Sequence, residues 1–148
     1  MIRLVVVDDQ TLVRSGIRKL LDTVAEIDVV AEGASADEAL DVITETAPDV
    51  VLLDVRMPGG SGIEVLKTLN AANRLPPTIL LTTFDDDEIL LEGLRHGAKG
   101  FLLKDISFDR LVDAIRQVAQ GGNLVRPAIT DRRRNSRVAA GACAGRRP

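Results

Sequence analysis

The chain has 148 residues, 45% hydrophobic and 28% charged, with a formal net charge of −3, an ordinary balance for one domain able to bury a core unaided. Three Phe and no Trp or Tyr require an aliphatic core and leave almost no stacking platform for single-stranded nucleic acid. The lone Cys143 excludes an internal disulfide framework and a structural zinc site. The amino terminus, MIRLVVVDD, turns acidic too soon for a signal peptide, and no apolar run approaches the roughly 18 residues of a membrane span. A cytoplasmic protein is expected.

Charge divides the chain in two. From Arg126 onward there are seven Arg and one Asp, a net +6, so residues 1–125 carry −9. An acidic domain with a basic tail is predicted.

Leu4–Val5–Val6–Val7 is a continuous apolar run ending in Asp8–Asp9. Such a run reads as a strand buried on both faces, the mark of a parallel sheet. Leu12, Val13, Ile17, Leu20 and Leu21 then recur at helical spacing, with Asp9 or Thr11 to cap that helix. Residues 27–31 form a second strand ending near Gly33. Ser35 caps the second helix, with Glu38 completing a capping box, and Pro48 ends it. Residues 50–53 (VVLL) are a third buried run, ending in the single carboxylate Asp54 and followed by a proline–glycine loop.

Ser61 or Gly62 opens a third helix, stopped by Pro76–Pro77, and residues 78–82 (TILLT) form a fourth strand. Asp85–Asp86–Asp87–Glu88 loads the amino end of a fourth helix, as its dipole favours, and Gly97 closes it. Residues 99–103 (KGFLL) are a fifth strand, and Ser107 caps a fifth helix over 108–120 with Gly121–Gly122 beyond. Five strands alternate with five helices without internal repeat. Every crossover contains a helix, so the fold class is α/β, a doubly wound five-stranded parallel sheet with helices on both faces. Residues 122–148 show no periodicity and too little apolar surface to order themselves, and disorder is expected there.

In a parallel sheet all strand ends meet at one rim. Asp8 and Asp9 end the first strand, Asp54 the third, Thr82 and Thr83 the fourth, and Lys104 the fifth. In the flavodoxin-like order 2-1-3-4-5, taken from known sheets of this kind, the first and third strands flank the switch point where ligands bind. Three carboxylates then meet one lysine and one hydroxyl. All-oxygen ligation without His or Cys suits Mg²⁺, with Mn²⁺ the alternative. A carboxylate beside such a cation and a lysine is placed to attack phosphorus.

The phrases VVVDDQ, LLDVRMPGGSGIE, LLTTFDD and GAKGFLLKD, in this order over residues 2 to about 121, resemble the successive motifs of bacterial response-regulator receiver domains. Each phrase is weak alone, and the set is specific. The resemblance implies that residues 1–121 are a receiver domain of a two-component system, phosphorylated on Asp54 by the His of a sensor histidine kinase. It implies a metal set of Asp8, Asp9, Asp54 and the backbone carbonyl of Arg56. It makes Thr82 the hydroxyl that follows the phosphoryl group, Lys104 the lysine that pairs with it, and Phe101 the aromatic switch position. Pro58 and Gly62 shape the pocket loop. Gly59–Gly60 makes that loop more pliant than one glycine would, and Phe101 lacks the hydroxyl of a Tyr. The face of the fourth helix, fifth strand and fifth helix would serve output and homodimerisation.

The finer resemblance is to receivers of the LuxR/NarL type, which continue through a linker into a helix-turn-helix domain. After Pro127 no helical pattern follows. Residues 122–148 are therefore expected to be a linker and basic tail, cut short or ended by unrelated sequence such as a frameshift or cloning scar. DNA would be met only through an output domain outside this chain.

Plainer readings compete with some of these. A carboxylate ending a buried strand is on its own more often a turn or cap, and Asp8 could be a first-turn acid, leaving Asp9 the firmer metal ligand. Phe101 could be plain core. Asp85–Glu88 reads as a dipole run, His96 as a helix C-cap, and Arg132–Arg134 as an unordered tail. Among rival functions, an Mg²⁺-dependent phosphohydrolase with Asp54 as nucleophile is disfavoured because Arg56 stands where such enzymes often carry a second acid. A flavin mononucleotide module is disfavoured because its first loop would be DDQT.

Overall fold

The computed structural model describes residues 1–57, 60–83 and 87–122. Five strands, β1 (Ile2–Val7), β2 (Ile27–Gly33), β3 (Val50–Asp54), β4 (Thr78–Thr82) and β5 (Gly100–Leu103), form one parallel sheet in the order β2-β1-β3-β4-β5. Helices α1 (Thr11–Leu21), α2 (Ala36–Thr46), α3 (Gly62–Ala71), α4 (Asp87–Arg95) and α5 (Phe108–Ala119) fill the crossovers and follow the last strand. The predicted fold class and strand order are those observed.

Side chains alternate across each strand, and this sorts the buried runs onto two cores. Val5, Val7, Val51, Leu53, Leu80 and Phe101 pack with α2, α3 and α4; Leu4, Val6, Leu52, Ile79, Leu81 and Leu102 pack with α1 and α5. Strands β3 and β4 are buried at every residue, which is why their sequences show no polar alternation. Leu52 lies fully buried at the centre of the sheet. Leu52→Ala is expected to lower stability by about 2–5 kcal/mol, read as a reduced midpoint in urea unfolding with an unchanged m-value.

Several boundaries differ from the sequence expectations, each for a local reason. Neither Asp9 nor Thr11 caps α1: Gln10 stands at its N-cap position and makes no side-chain cap. Asp8 Oδ1 instead accepts from the Gln10 N–H (2.8 Å), an Asx turn that closes the strand rather than opening the helix. Ser35 does cap α2, accepting from the Glu38 N–H (3.2 Å), but Glu38 reaches back to the Ala34 N–H and so completes no capping box. The reciprocal box occurs on α3, between Ser61 and Glu64. Helix α2 stops at Thr46 because Ala47 turns left-handed (φ 45°), one residue before Pro48.

Strand β5 begins at Gly100, one residue late, although the Lys99 N–H still bonds to the Thr78 carbonyl (2.8 Å). Helix α5 ends at Ala119, and Gln120 is its C-cap. A short antiparallel ladder, Arg56–Met57 against Gly60–Ser61, has no counterpart in the sequence expectations. Gly97 (φ 107°) and Gly121 (φ 93°) follow α4 and α5 in the left-handed region, as expected of terminating glycines. His96 lies one residue beyond α4, near the amino ends of the strands and opposite the polar rim. Pro58, Gly59, Asp85, Asp86 and residues 123–148, including the expected tail, Cys143 and Arg132–Arg134, lie outside the described residues.

Candidate functional site

The carboxyl ends of β1, β3, β4 and β5 bring the predicted polar residues together. Asp8 follows β1 and is completely buried; Asp9 beside it is exposed. Asp54 ends β3, 3% exposed, and pairs in register with Leu81, so Thr82 lies one residue further along the neighbouring strand. Thr82 is buried, whereas Thr83 faces solvent, which separates the two candidate hydroxyls. Lys104 follows β5, and its N–H bonds to the Thr82 carbonyl (2.8 Å). One main-chain hydrogen bond thus ties the lysine's strand to the threonine's.

Three carboxylates converge. Oxygens of Asp8, Asp9 and Asp54 all lie within 4.8 Å of one another. The Lys104 ammonium stands between two of them: Nζ is 3.0 Å from Asp54 Oδ2, donating a hydrogen bond, and 3.0 Å from Asp8 Oδ2. The second contact lacks hydrogen-bond alignment, so Asp8 Oδ2 is a buried anionic oxygen with no hydrogen-bond partner among the described residues. Asp54 Oδ1 accepts from the Arg56 N–H (3.2 Å), and Arg56 as a residue is exposed. Arg56 therefore joins the site through its main chain.

The charge state follows from these contacts. Burial pushes the Asp54 carboxyl up from 3.8 to about 6; the Lys104 hydrogen bond and charge oppose this, and the Asp8 charge adds to it. For Lys104, burial works against the ammonium, but the Asp54 and Asp8 carboxylates outweigh it and raise its pKa. A single lysine faces three acids, and the residual negative charge attracts a cation. An orphaned buried carboxylate oxygen within an all-oxygen set fits a hard divalent ion such as Mg²⁺. Nitrogen and sulfur ligands are absent among the described residues of this rim, which disfavours zinc.

The loop geometry is held from behind. Arg14 on α1 donates to the Asp8 carbonyl (2.6 Å) and to Glu32 Oε1 on β2 (2.9 Å), and Arg18 also pairs with Glu32. Burial opposes the Glu32 charge, yet hydrogen bonds from Arg18 and Arg14 prevail and hold its carboxyl below the usual range. Gly62 packs where α3 leaves the β3 rim, its N–H bonded to the Val55 carbonyl (2.8 Å). Phe101 is buried against the α2–α4 face. Sequence reasoning missed Gln10, whose Oε1 accepts from Lys104 Nζ (3.1 Å); its only signal was adjacency to the acidic pair.

Comparison with known proteins gives the same reading of the fold. Residues 4–116 match the family model of the response regulator receiver domain. The chain belongs to the response-regulator receiver family. This receiver is 39% identical over 130 residues to the transcriptional regulatory protein LnrK of Bacillus subtilis, matching 88% of this chain and 59% of that protein. It is 38% identical over 127 residues to the DNA-binding transcriptional activator DevR/DosR of Mycobacterium tuberculosis, covering 84% and 58%. The chain thus spans somewhat over half the length of these relatives.

Among solved structures, the signal receiver domain of NarL from M. tuberculosis superposes with a TM-score of 0.78 at 36% identity, covering 81% of this chain and 97% of that one. A LuxR-family two-component response regulator from Aurantimonas sp. SI85-9A1 gives 0.84 at 31% identity, covering 94% and 99%. Relatives and solved neighbours named as transcriptional regulators and as LuxR-family or NarL receivers support the reading of this chain as a receiver of two-component signalling and lend no support to the phosphohydrolase alternative. Among the described residues no helix is long and apolar enough to cross a membrane.

Proposed function

We propose that Asp54 is the phosphoacceptor of this receiver, taking a phosphoryl group from the histidine of a sensor kinase. The observation that carries this is the juxtaposition of a buried, raised-pKa carboxylate with Lys104 at 3.0 Å and two further acids. Asp54 oxygen attacks phosphorus, an acyl phosphate forms, and the phosphorus–nitrogen bond to the donor imidazole breaks with the electron pair going to nitrogen. Lys104 and the Thr82 hydroxyl would serve as donors to the phosphoryl oxygens. Asp8, Asp9 and Asp54, with the Arg56 carbonyl, would hold Mg²⁺ (or Mn²⁺), which supplies positive charge against those oxygens when bound. In this sense the receiver assists its own phosphorylation and dephosphorylation without turning over a separate substrate.

The phosphoryl group biases a two-state equilibrium through Thr82, the loop after β4, and Phe101. The output surface is the face of α4, β5 and α5, which also serves a phosphorylation-favoured homodimer. The regulated process is transcription, as the names of its relatives describe for them, and the setting is the cytoplasm. Incubation with acetyl phosphate and Mg²⁺ followed by intact-mass measurement is expected to add one phosphoryl group to the protein and none to Asp54→Ala. An equal gain in both proteins would place the phosphate elsewhere and overturn the assignment.

A further inference from the structure

An ammonium has three donors, and the way Lys104 spends them is uneven. Aligned hydrogen bonds run to Asp54 Oδ2 at 3.0 Å and to Gln10 Oε1 at 3.1 Å. Asp8 Oδ2 is equally close, at 3.0 Å, but out of line. Between two carboxylates, both almost fully buried, an ammonium has no electrostatic reason to align with one and not the other. The neutral side chain of Gln10 takes the other aligned donor.

Gln10 is well anchored for this. Its N–H donates to Asp8 Oδ1 (2.8 Å), and its carbonyl accepts the Arg14 N–H (2.9 Å), the bond that begins α1. It occupies the N-cap position, yet its side chain does not cap the helix. Its acceptor is therefore committed to Lys104, while its main chain takes up one oxygen of Asp8. The other oxygen of Asp8 is left without a hydrogen bond.

We propose that Gln10 is a positioning residue: its side-chain carbonyl draws the Lys104 ammonium into line with Asp54 and so leaves Asp8 Oδ2, though ion-paired, without a hydrogen bond that a divalent cation would have to displace. Without that acceptor, Lys104 is free to line a donor up on Asp8 Oδ2, adding a hydrogen bond to an ion pair already at 3.0 Å and competing with the metal. The inference rests on the phosphoacceptor reading only in identifying the cation; the lysine geometry stands on its own contacts.

The test uses Gln10→Met, which keeps side-chain length and removes the acceptor, and Gln10→Glu, which keeps an acceptor. In metal-free protein, the Lys104 ammonium resonance is expected to shift in Gln10→Met. A Mg²⁺ titration of the same variant is expected to show affinity weakened about tenfold, the usual scale for losing a group that orients a metal site. Gln10→Glu is expected to bind Mg²⁺ at least as tightly as wild type. An unchanged Lys104 resonance together with a change in affinity below about twofold in Gln10→Met would overturn the proposal, since a group that orients a metal site has a larger effect. Should Gln10→Met fold poorly, Gln10→Ala carries the same expectations. Failure of wild type to take up phosphate would sink the phosphoacceptor reading without touching either measurement.

Discussion

Asp54→Asn is expected to stabilise the metal-free protein at pH 7 by about 2–3 kcal/mol while abolishing phosphate uptake. The Asp54 carboxyl titrates near 6 in the folded protein and near 3.8 when unperturbed, and each pH unit of that gap corresponds to about 1.4 kcal/mol. The sign follows from proton counting. Between these values the folded protein holds a proton that the unfolded chain has released, so stability falls as pH rises through the window. Above about 6 the whole penalty is in force; below about 4 it has vanished. Asparagine keeps an oxygen for Lys104 and sheds the buried charge that Asp8 repels.

The gain should therefore be large in urea unfolding at pH 7 and shrink towards zero at pH 4. Mg²⁺ should narrow it by binding and stabilising wild type more than the variant. A variant no more stable than wild type at pH 7, or equally stabilised at both pH values, contradicts the account. The outcome expected here, more stability with no phosphorylation, is the mark of a site whose charge is kept for chemistry at a cost to the fold.

Gly62→Ala should act in the opposite direction, and on both properties. A Cβ at position 62 would lie 2.4 Å from the Asp54 carbonyl oxygen and 3.2 Å from both the Asp54 carbonyl carbon and Leu53 Cγ. The first contact is with main chain, which no rotamer change relieves. Helix propensity alone favours Ala over Gly by about 1 kcal/mol, so the sign of the change is itself the test. Overpacking at this contact should reverse that preference and cost about 3 kcal/mol. The first turn of α3 must move away from the β3 rim, and Asp54 moves with it.

Misplacement by about 1 Å slows reactions on the order of a hundredfold, so phosphorylation from acetyl phosphate should slow to a comparable degree. Gly16, mid-helix in α1, is the control, because a Cβ there would meet nothing within 4 Å. At that position the same substitution should stabilise by roughly 0.5–1 kcal/mol and leave phosphorylation unchanged. Stabilisation by Gly62→Ala, as at Gly16, would show that the close approach to Asp54 is not real.

The order of elements was legible in the chain because burial on both faces removes polar alternation from β1, β3 and β4. The apolar runs then stop where the strands reach the rim. That rule located Asp8, Asp54, Thr82 and Lys104 before any contact was known. Caps were less legible. Ser35, Ser61 and Ser107 all cap, since a hydroxyl before a helix has few other uses. The acids before α1 do not, because Asp8 is drawn into the site and turned back on its own loop.

By itself, the sequence determined the parallel α/β sheet and the set of polar groups at its rim, because hydrophobic periodicity and strand ends are local properties. Tertiary structure decided how those groups share one another. It buried Asp8 and exposed Asp9, a division that two adjacent identical residues do not announce. It buried Thr82 and left Thr83 in solvent, brought Gln10 to Lys104 across 94 positions of chain, and pressed Gly62 against Asp54. Those outcomes depend on distances between strands and helices remote in sequence. Burial and hydrogen-bond direction arise only once the chain has closed around the site.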